Sequence, residues 1–250
     1  MTKTFGPNLG LLENAATGEA HDSELRALLR GLDGLVMPNV KGYLTNTPPA
    51  SPASGDCYII GAAPTGAWAG KAAYVTRWSA TAAAWEFYLP KNGWMLQANS
   101  ARESYRYTSG AWEIFYQEGT WTPAAYGSTG SIGTYSANAA VGLFTKIGRL
   151  IAAQCYLNIY DKGSWTGATH ISGLPFAANP TGNAYNGASI GLCSNITLPA
   201  GYSLIAGYVN VNQTSIDLVL TGSGIPAIAL DYSKLAAGAV AFSLSTTYMK

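Results

Sequence analysis

The second half of the chain alternates between apolar and polar residues over long runs. From Ile151 to Ile159 every second residue is apolar, and the alternation recurs in three later segments. The apolar positions are Ile151, Ala153, Cys155, Leu157 and Ile159, then Ile205, Val209 and Val211, then Ile216, Leu218 and Leu220, and finally Val240, Phe242 and Leu244. Because successive side chains of a strand point to opposite faces, this pattern indicates half-buried strands. It predicts an antiparallel β-sandwich of the jelly-roll type over residues 118–250.

The first half has a different period. Leucines recur at steps of three and four residues from Leu25 to Leu35, with Asp22 or Ser23 as a cap and Pro38 beyond the end. This spacing predicts an amphipathic helix. The helix spans only about two heptads, so two interpretations stay open. It forms a coiled coil with other copies, or it packs on its own domain.

A proline-rich turn at residues 47–52 opens a run of short, tryptophan-rich strands. The predicted strands are Cys57–Gly61, Ala72–Trp78, Trp85–Leu89, Trp94–Ala98, Ser104–Thr108 and Trp112–Tyr116. The two stretches Tyr74–Trp78 and Ala84–Tyr88 resemble Ser104–Tyr107 and Ala111–Tyr116, which indicates that one hairpin recurs. The sequence therefore predicts a mainly β protein in three parts: a leader with a short helix at 1–42, a β-meander domain at 43–117, and the sandwich at 118–250.

Composition removes several classes of function. Only 11% of the residues are charged and the formal net charge is +1, so no basic surface is expected for nucleic acid. The sequence has no apolar run of membrane-spanning length, and its first residues lack the apolar segment of a secretion signal. We therefore expect neither membrane insertion nor a secretion signal. The three cysteines have no cysteine or histidine at metal-ligand spacing, so we predict buried thiols and no cofactor.

The second half offers few residues for catalysis. After Gly119 the carboxylates are Asp161, Asp217 and Asp231. Asp161 and Asp231 are at predicted turns or strand ends, where aspartate is common, and Asp217 is on the polar face of a predicted strand. Glycoside cleavage would need two of them across one cleft. The two histidines, His21 and His170, have no acid partner evident in the sequence, and no nucleophile elbow is present. The sequence therefore predicts that the protein is not an enzyme.

Glycan binding requires fewer specialised residues than catalysis does. A sugar stacks its C–H face on an aromatic ring and pairs its hydroxyls with polar side chains. Two loops carry that mixture. One offers Tyr160, Asp161 and Trp165, and the other offers Asn183, Tyr185 and Asn186. For Trp165 the alternative of a ring tucked under its own loop stays open, and the second loop could equally be turn chemistry. The meander tryptophans are interpreted as core and not as a sugar-binding strip; these are Trp68, Trp78, Trp85, Trp94 and Trp112.

Two sets of motifs resemble known families. The second half resembles the receptor-binding tip domains of bacteriophage tail fibres through Gly119–Pro123, Phe144–Arg149, Gly163, Thr166–Gly167 and Gly173–Phe176. Roughly the first 117 residues resemble an uncharacterised domain of phage and gene-transfer-agent tail proteins. The residues that carry the second resemblance are Asn8–Leu11, Leu32–Asp33, Pro48–Ala50, Gly55–Ile60, Thr65–Gly70, Trp78, Trp85, Pro90–Trp94 and Gly110–Trp112.

These resemblances imply a location, an assembly and a role. The location is the virion tail, with the N-terminus bound to another tail or baseplate protein. The assembly is a homotrimer, with candidate interface residues Tyr156, Asn158, Tyr208 and Asn210 on the sandwich and Leu25, Leu28, Leu32 and Leu35 on the helix. The implied role is attachment to a bacterial surface polysaccharide or lipopolysaccharide without cleavage. The alternatives are a depolymerase of the tail and a purely structural tail component.

Overall fold

The computed structural model describes residues 20–36, 38–98, 102–129, 134–161, 165–181, 185–236 and 239–250. Within these ranges the chain is mainly β and has one α-helix, α1, at Ala20–Leu35, which confirms the predicted fold class. The predicted leader before residue 20 lies outside the described residues. The chain divides into two compact units, Met1–Tyr116 and Gln117–Lys250. No helix in the described ranges is both long enough and apolar enough to cross a membrane.

The first unit contains every strand that the sequence predicted there, and one more. The strands are β1 (Asn39–Thr45), β2 (Cys57–Ile60), β3 (Val75–Ser79), β4 (Ala84–Tyr88), β5 (Met95–Ala98), β6 (Glu103–Thr108) and β7, which begins at Ala111 and ends at Trp121. Their order is β4-β3-β2-β1-β5-β6-β7, and β1 runs parallel to both neighbours. The simple meander order is therefore wrong at β1. This strand fully buries only Val40, so it carries no alternation that a pattern search detects.

The core of the first unit is built from large side chains. Its buried residues are Val40, Cys57, Ile59, Val75, Leu96, Tyr105 and Trp112. Trp112 donates its indole N–H to the carbonyl of Ala73 at 2.8 Å. Trp68 is fully buried and packs edge-on against Trp85, with ring centroids 5.0 Å apart. The interpretation of Trp68 and Trp112 as core residues is thus confirmed.

Helix α1 is attached to the first unit through a buried ion pair. Arg77 on β3 reaches Asp33 on the helix at 2.8 Å, and both side chains are almost completely excluded from solvent. The opposite side of the helix is apolar and open: Leu25, Leu28 and Leu32 are 54%, 71% and 49% exposed. The leucines of the predicted stripe therefore do not pack on their own domain at these positions. Leu35, the fourth predicted interface leucine, is the last residue of α1.

The hairpin that the sequence repeats carries the same ion pair in both copies. Arg77 on β3 lies 3.3 Å from Glu86 on β4, and Arg106 on β6 lies 2.6 Å from Glu113 on β7. The environments differ. The first pair includes a buried guanidinium, whereas both side chains of the second pair are more than a third exposed. In the first hairpin the arginine therefore helps to hold α1, whereas in the second hairpin the arginine and glutamate form a surface ion pair.

The second unit contains a sheet whose described strand pairs run antiparallel. After the last residues of β7 its strands are β8 (Ala124–Thr129), β9 (Thr134–Ile147), β10 (Leu150–Asp161), β11 (Thr166–Ser172), β12 (Asn186–Ser194), β13 (Tyr202–Val209), β14 (Ser215–Gly222), β15 (Ile225–Ala229) and β16 (Val240–Met249). Their order is β9-β10-β16-β12-β13-β14-β11-β8, with β15 on β14. Gly148, with a positive φ of 59°, makes the tight turn between β9 and β10.

The sheet of the second unit curls around one apolar core. Residues of β10 such as Ile151 and Leu157 share a buried cluster with Ile216 and Leu218 of β14. Three strands separate β10 from β14 in the sheet order, so the inner faces can meet only if the sheet folds back on itself. The predicted apolar faces of β10, β14 and β16 are all buried in this cluster. The sandwich-like architecture follows directly from that alternation.

The cysteines do not all share one environment. Cys57 and Cys155 are buried, whereas Cys193 on β12 is exposed, so the prediction of three buried thiols is wrong for Cys193. Burial raises the pKa of the Cys155 thiol to about 12. Burial likewise raises the pKa of Cys57 to about 12, against a smaller opposing effect of the Arg77 charge. Two of the thiols are therefore protonated at neutral pH and enclosed by the fold.

Candidate functional site

One row of directly opposed residues crosses five strands on the outer face of the second unit. Tyr126 on β8 pairs with His170 on β11, and His170 pairs with Asp217 on β14. Asp217 pairs in turn with Tyr208 on β13, and Tyr208 pairs with Gly187 on β12. With neighbouring strands about 4.8 Å apart, four such steps make a row roughly 19 Å long. We call these five residues the cross-strand row.

The alternation of each strand places the row on the outside. Ile171 follows His170, Ile216 and Leu218 flank Asp217, and Val209 follows Tyr208, and all four apolar residues lie in the core. Their neighbours must therefore point to the opposite face. The row is thus the polar and aromatic side of strands whose other side holds the sandwich together.

The centre of the row is a histidine paired with an aspartate. His170 Nδ1 lies 2.7 Å from Asp217 Oδ1, and each side chain is about one-fifth exposed, at 21% and 19%. The expectation that His170 has no acid partner is therefore wrong. The two residues are 47 positions apart, and only the register of β11 against β14 brings them together.

Tyrosines flank this pair on both sides. The ring of Tyr126 stacks on the imidazole of His170 with centroids 5.2 Å apart and an interplanar angle of 29°. On the other side Tyr208 on β13 stands directly opposite Asp217 on β14. Burial, followed by the charge and hydrogen bond of Asp217, raises the pKa of Tyr208. Asp217 therefore lies between His170, which it contacts at 2.7 Å, and Tyr208, whose pKa it helps to raise.

The row ends in an open depression. Tyr185, Gly187 and Tyr208 line a shallow cleft of about 450 Å³. The ring of Tyr185 meets that of Tyr208 edge-on at 5.6 Å and is 61% exposed. A side chain added at Gly187 would meet no atom within 4 Å at its first carbon, so the absence of a side chain there keeps the cleft open. The rings of Tyr185 and Tyr208 therefore form an aromatic surface next to the hydrogen-bonding groups of the row.

This arrangement is suited to recognition of a polar ligand with a flat apolar face. Aromatic rings give a stacking surface, and Asp217, His170 and Tyr208 bring hydrogen-bonding groups to the same face. Among the described residues, no group of three or more His, Cys, Asp or Glu is placed to hold a metal ion. The chemistry available is therefore stacking combined with hydrogen bonding.

The second predicted loop contributes to this site. Tyr185 is its exposed ring, and Asn186 is the first residue of β12, opposite Val209 on β13. Asn183, the third predicted residue of that loop, lies outside the described residues. The sequence therefore located one end of the site, but it assigned the neighbouring Tyr208 to a subunit interface and gave no role to Tyr126.

The first predicted loop lies elsewhere. Tyr160, which is 69% exposed, and Asp161 are at the end of β10. Ala188 of β12 and Ala153 of β10 both pair with Thr246 of β16, which lies between them. The two alanines are therefore at the same height along their strands. Tyr160 is seven residues further along β10, roughly 23 Å at 3.3 Å per residue. The two predicted loops therefore do not form one site.

Trp165 is a core residue. Its side chain is fully buried, and its ring packs edge-on against Tyr232 with centroids 5.7 Å apart. The ring also lies directly over Gly127, where an added Cβ would come within 2.5 Å of it. A ligand cannot reach this ring, so the predicted glycan-binding role of Trp165 is wrong. A tryptophan among turn residues resembles a surface residue in sequence, whereas here it closes the edge of the core.

The predicted interface residues of the sandwich have different surroundings. Tyr156 on β10 is 42% exposed and borders a depression of about 510 Å³ with Val141 and Leu143. Asn158 is half-buried two residues further on. Tyr208 belongs to the cross-strand row, and the side chain of Asn210 accepts a hydrogen bond from the N–H of Val211 at 2.9 Å. Tyr156 alone among these four borders the open apolar surface of β9 and β10.

Comparison with known proteins gives one family match, which covers part of the chain. Residues 26–113 match a family described as a protein of unknown function, DUF2793. No curated protein matches. A solved structure with similarity to the chain is the crystal structure of the Dettilon tailspike protein (gp208), at 24% sequence identity and a TM-score of 0.46. That match covers 54% of this chain and 24% of the tailspike chain.

Proposed function

We propose that this chain is a phage tail protein whose second unit binds a bacterial surface polysaccharide or lipopolysaccharide without cleaving it. The assignment to a tail rests on the motifs of both halves, from the domain at 26–113 to the glycine and proline positions after residue 119. The assignment of a glycan as ligand rests on the chemistry of the cross-strand row.

The observation that carries the proposal is the combination of Tyr185, Tyr208 and the bare backbone of Gly187. An exposed ring stands beside a half-buried ring, and no side chain fills the space between them. A sugar ring can enter such a cleft with its C–H face on the tyrosines. Its hydroxyls then meet the polar groups that continue along the row. A row roughly 19 Å long extends well beyond one sugar ring, which favours an oligosaccharide.

The carboxylates favour binding over cleavage. Asp217 is paired with His170 at 2.7 Å, and Asp231 accepts a hydrogen bond from the N–H of Ser233 at 2.9 Å. Asp161 ends β10, whose inner face meets that of β14 across the core, whereas Asp217 points away from that core. Glycoside hydrolysis needs two carboxylates facing one bond, roughly 5 to 10 Å apart. Asp217 and Asp231 already serve other groups, which supports a site that holds the sugar unchanged.

The proposal includes a homotrimer, with the N-terminal part bound to another tail or baseplate protein. Support comes from two open apolar surfaces. Leu25, Leu28 and Leu32 form a stripe on α1, and Val141, Leu143 and Tyr156 are each at least 42% exposed on β9 and β10. Contact between copies would remove both surfaces from water. Three copies of a weak saccharide site would also raise the overall affinity through multivalency.

Binding of host polysaccharide to the full chain tests this proposal. Tyr185→Ala is compared with Tyr160→Ala, a matched control because the two tyrosines are 61% and 69% exposed in the same unit. Loss of one stacking ring of about 1 to 1.5 kcal/mol corresponds to a five- to tenfold weaker interaction. We expect this loss for Tyr185→Ala and none for Tyr160→Ala. Equal binding by both variants and the original chain would overturn the assignment of the site.

The rival functions give different results in the same experiment. A depolymerase would release new reducing ends or lower the viscosity of the polysaccharide during incubation. A purely structural tail component would bind no polysaccharide and would not compete with phage for host cells. Binding with no new reducing ends, together with inhibition of adsorption, is the outcome that the proposal requires.

A further inference from the structure

We infer that His170 is held by Asp217 as the Nδ1–H tautomer and presents the lone pair of Nε2 to a hydroxyl group of an uncharged sugar. This inference rests on the proposed function, because it concerns the same row of residues. It adds the residue that selects the ligand by hydrogen bonding and the class of sugar that the site accepts.

The tautomer follows from the partners of Asp217. An ionised carboxylate only accepts hydrogen bonds, so the proton in its 2.7 Å contact with His170 must be on Nδ1. Tyr208 on β13 stands opposite the same residue. A neutral imidazole carries only one N–H, and therefore Nε2 is left as an acceptor. In this arrangement Asp217 fixes the hydrogen-bonding character of the far side of the ring.

The ring is also fixed in orientation. Tyr126 from β8 stacks on one face, and backbone pairing aligns His170 with Asp217 on β14. The histidine side chain remains 21% exposed, and Nε2 has no hydrogen bond to any described residue. A buried Nε2 acceptor without a partner would be costly, whereas one that faces solvent can exchange water for a ligand hydroxyl. His170 therefore acts as a positioned acceptor.

The charge of the row indicates an uncharged ligand. No lysine or arginine among the described residues forms an ion pair with Asp217. The ionisable groups that face His170 from the neighbouring strands are Asp217 on β14, Tyr126 on β8 and, through Asp217, Tyr208 on β13. An acidic sugar would meet the charge of Asp217 with no cation to balance it. Neutral sugars can donate a hydroxyl to Nε2 without that cost.

Nitrogen NMR of the unliganded protein tests the tautomer. The chain has two histidines, so His21→Ala leaves the ring of His170 as the only imidazole signal. The spectrum is recorded at about pH 8.5, above the range in which imidazole ordinarily takes up a proton. We expect the proton on Nδ1 and a non-protonated Nε2. A protonated Nε2 beside a bare Nδ1 would overturn the inference.

Sugar titrations of the same sample test the ligand class. The probes are methyl glucoside, methyl galactoside, methyl mannoside, N-acetylglucosamine, glucuronic acid and N-acetylneuraminic acid. We expect at least one neutral sugar to shift the Nε2 resonance and the acidic sugars to shift it less. A stronger response to glucuronic or N-acetylneuraminic acid, or no response of Nε2 to any probe, would contradict the inference.

Two substitutions separate the two nitrogens. His170→Asn keeps a donor near the Nδ1 position and loses Nε2, whereas His170→Gln reaches the Nε2 position with an amide. If Nε2 contacts the sugar, His170→Asn weakens binding of the best neutral probe about five- to tenfold, the value of one hydrogen bond. His170→Gln should retain more binding than His170→Asn at similar thermal stability. The reverse order would assign the histidine a purely structural role, and Tyr185→Ala then reports independently on the proposed function.

Discussion

The guanidinium of Arg77 lies 2.8 Å from the carboxylate of Asp33, and both side chains are almost completely buried. Arg77 also contacts Glu86 at 3.3 Å, and Tyr88 donates its hydroxyl to Glu86 at 3.0 Å. Burial and the Glu86 charge raise the pKa of that tyrosine. The network fixes the polar side of α1 to the β3–β4 hairpin, and for this reason the leucine side of the helix faces outward.

Removal of the helix half of this pair should destabilise the first unit strongly. In Asp33→Asn the buried Arg77 charge keeps only the partly exposed Glu86 as a counter-charge, so the loss should approach, without exceeding, the cost of about 3 to 5 kcal/mol for breaking a buried ion pair. Chemical denaturation followed by tryptophan fluorescence measures the effect, because most of the tryptophans lie before residue 117. Arg106→Gln is the matched control, since it breaks the equivalent pair of the second hairpin, in which both partners are more than a third exposed. It should cost no more than about 1 kcal/mol. Equal effects of the two substitutions would show that the buried pair does not anchor the helix.

Substitution in the leucine stripe should change the assembly and not the fold. Leu28 is 71% exposed on α1, so Leu28→Ser removes apolar contact area between copies without opening a cavity in the unit. If α1 joins copies of the chain, the mass in solution falls from that of a trimer towards that of a monomer. Analytical ultracentrifugation measures the mass. Leu89→Ser, at a site 62% exposed outside the helix, is the control and should leave the mass unchanged.

The strands of the second unit could be predicted from the sequence because each has one face in the core. Ile151, Ile216 and Phe242 mark such faces in the sequence and are fully buried in the structure. The bond between His170 and Asp217 could not be predicted, because strand register across 47 residues leaves no local signal. The prediction for Trp165 is wrong for a related reason. Turn residues surround it in sequence, but the core that covers it comes from distant strands.

The first unit shows the same division between local and long-range information. The helix from Ala20 to Leu35 and the repeated hairpins follow from spacing within each segment. The place of β1 between β2 and β5 depends on parallel pairing of segments that are not consecutive, and its sequence gives only Val40 as a buried position. The candidate site depends on both local and long-range information. Tyr185, at the cleft where the row ends, is recognisable from its polar loop, whereas Tyr126 joins the row only through strand pairing.

A side chain at position 187 should block the candidate site without disturbing the sheet. Gly187 has open space at its Cβ position, and valine is favoured in strands, so Gly187→Val is expected to fold normally. Its methyl groups would occupy the cleft beside Tyr185 and Tyr208. Binding of host polysaccharide should fall at least about tenfold, because a sugar can no longer stack fully on the rings. The contrast is Ser203→Val, at an exposed position of the neighbouring strand β13 and outside that cleft. Undiminished binding by Gly187→Val would place the ligand elsewhere.

Thiol labelling should separate the three cysteines at about pH 8. Cys193 is exposed, whereas burial raises the pKa of both Cys57 and Cys155 to about 12 and encloses them. The native chain should therefore react rapidly with a thiol reagent at one position of three. Cys193→Ser should remove that rapid phase, and denaturant should release the other two. Rapid reaction of all three in the native chain would contradict the buried positions.

The stability of the second unit at alkaline pH should depend on the ionisation of the Cys155 thiol. Burial raises the pKa of its thiol from 9.0 to about 12, so the folded chain keeps a proton that the unfolded chain loses. The contribution of the protonated thiol to the free energy of unfolding is fully present below about pH 9. It is lost as the pH rises towards 12, at about 1.4 kcal/mol for each pH unit. Cys155→Ala lowers the stability at every pH by creating a small cavity, but it removes this slope. Denaturation measured from pH 8.5 to 11 should therefore show a less steep decline for Cys155→Ala than for the original chain. Parallel declines would show that the thiol ionises as readily in the folded chain as in the unfolded one.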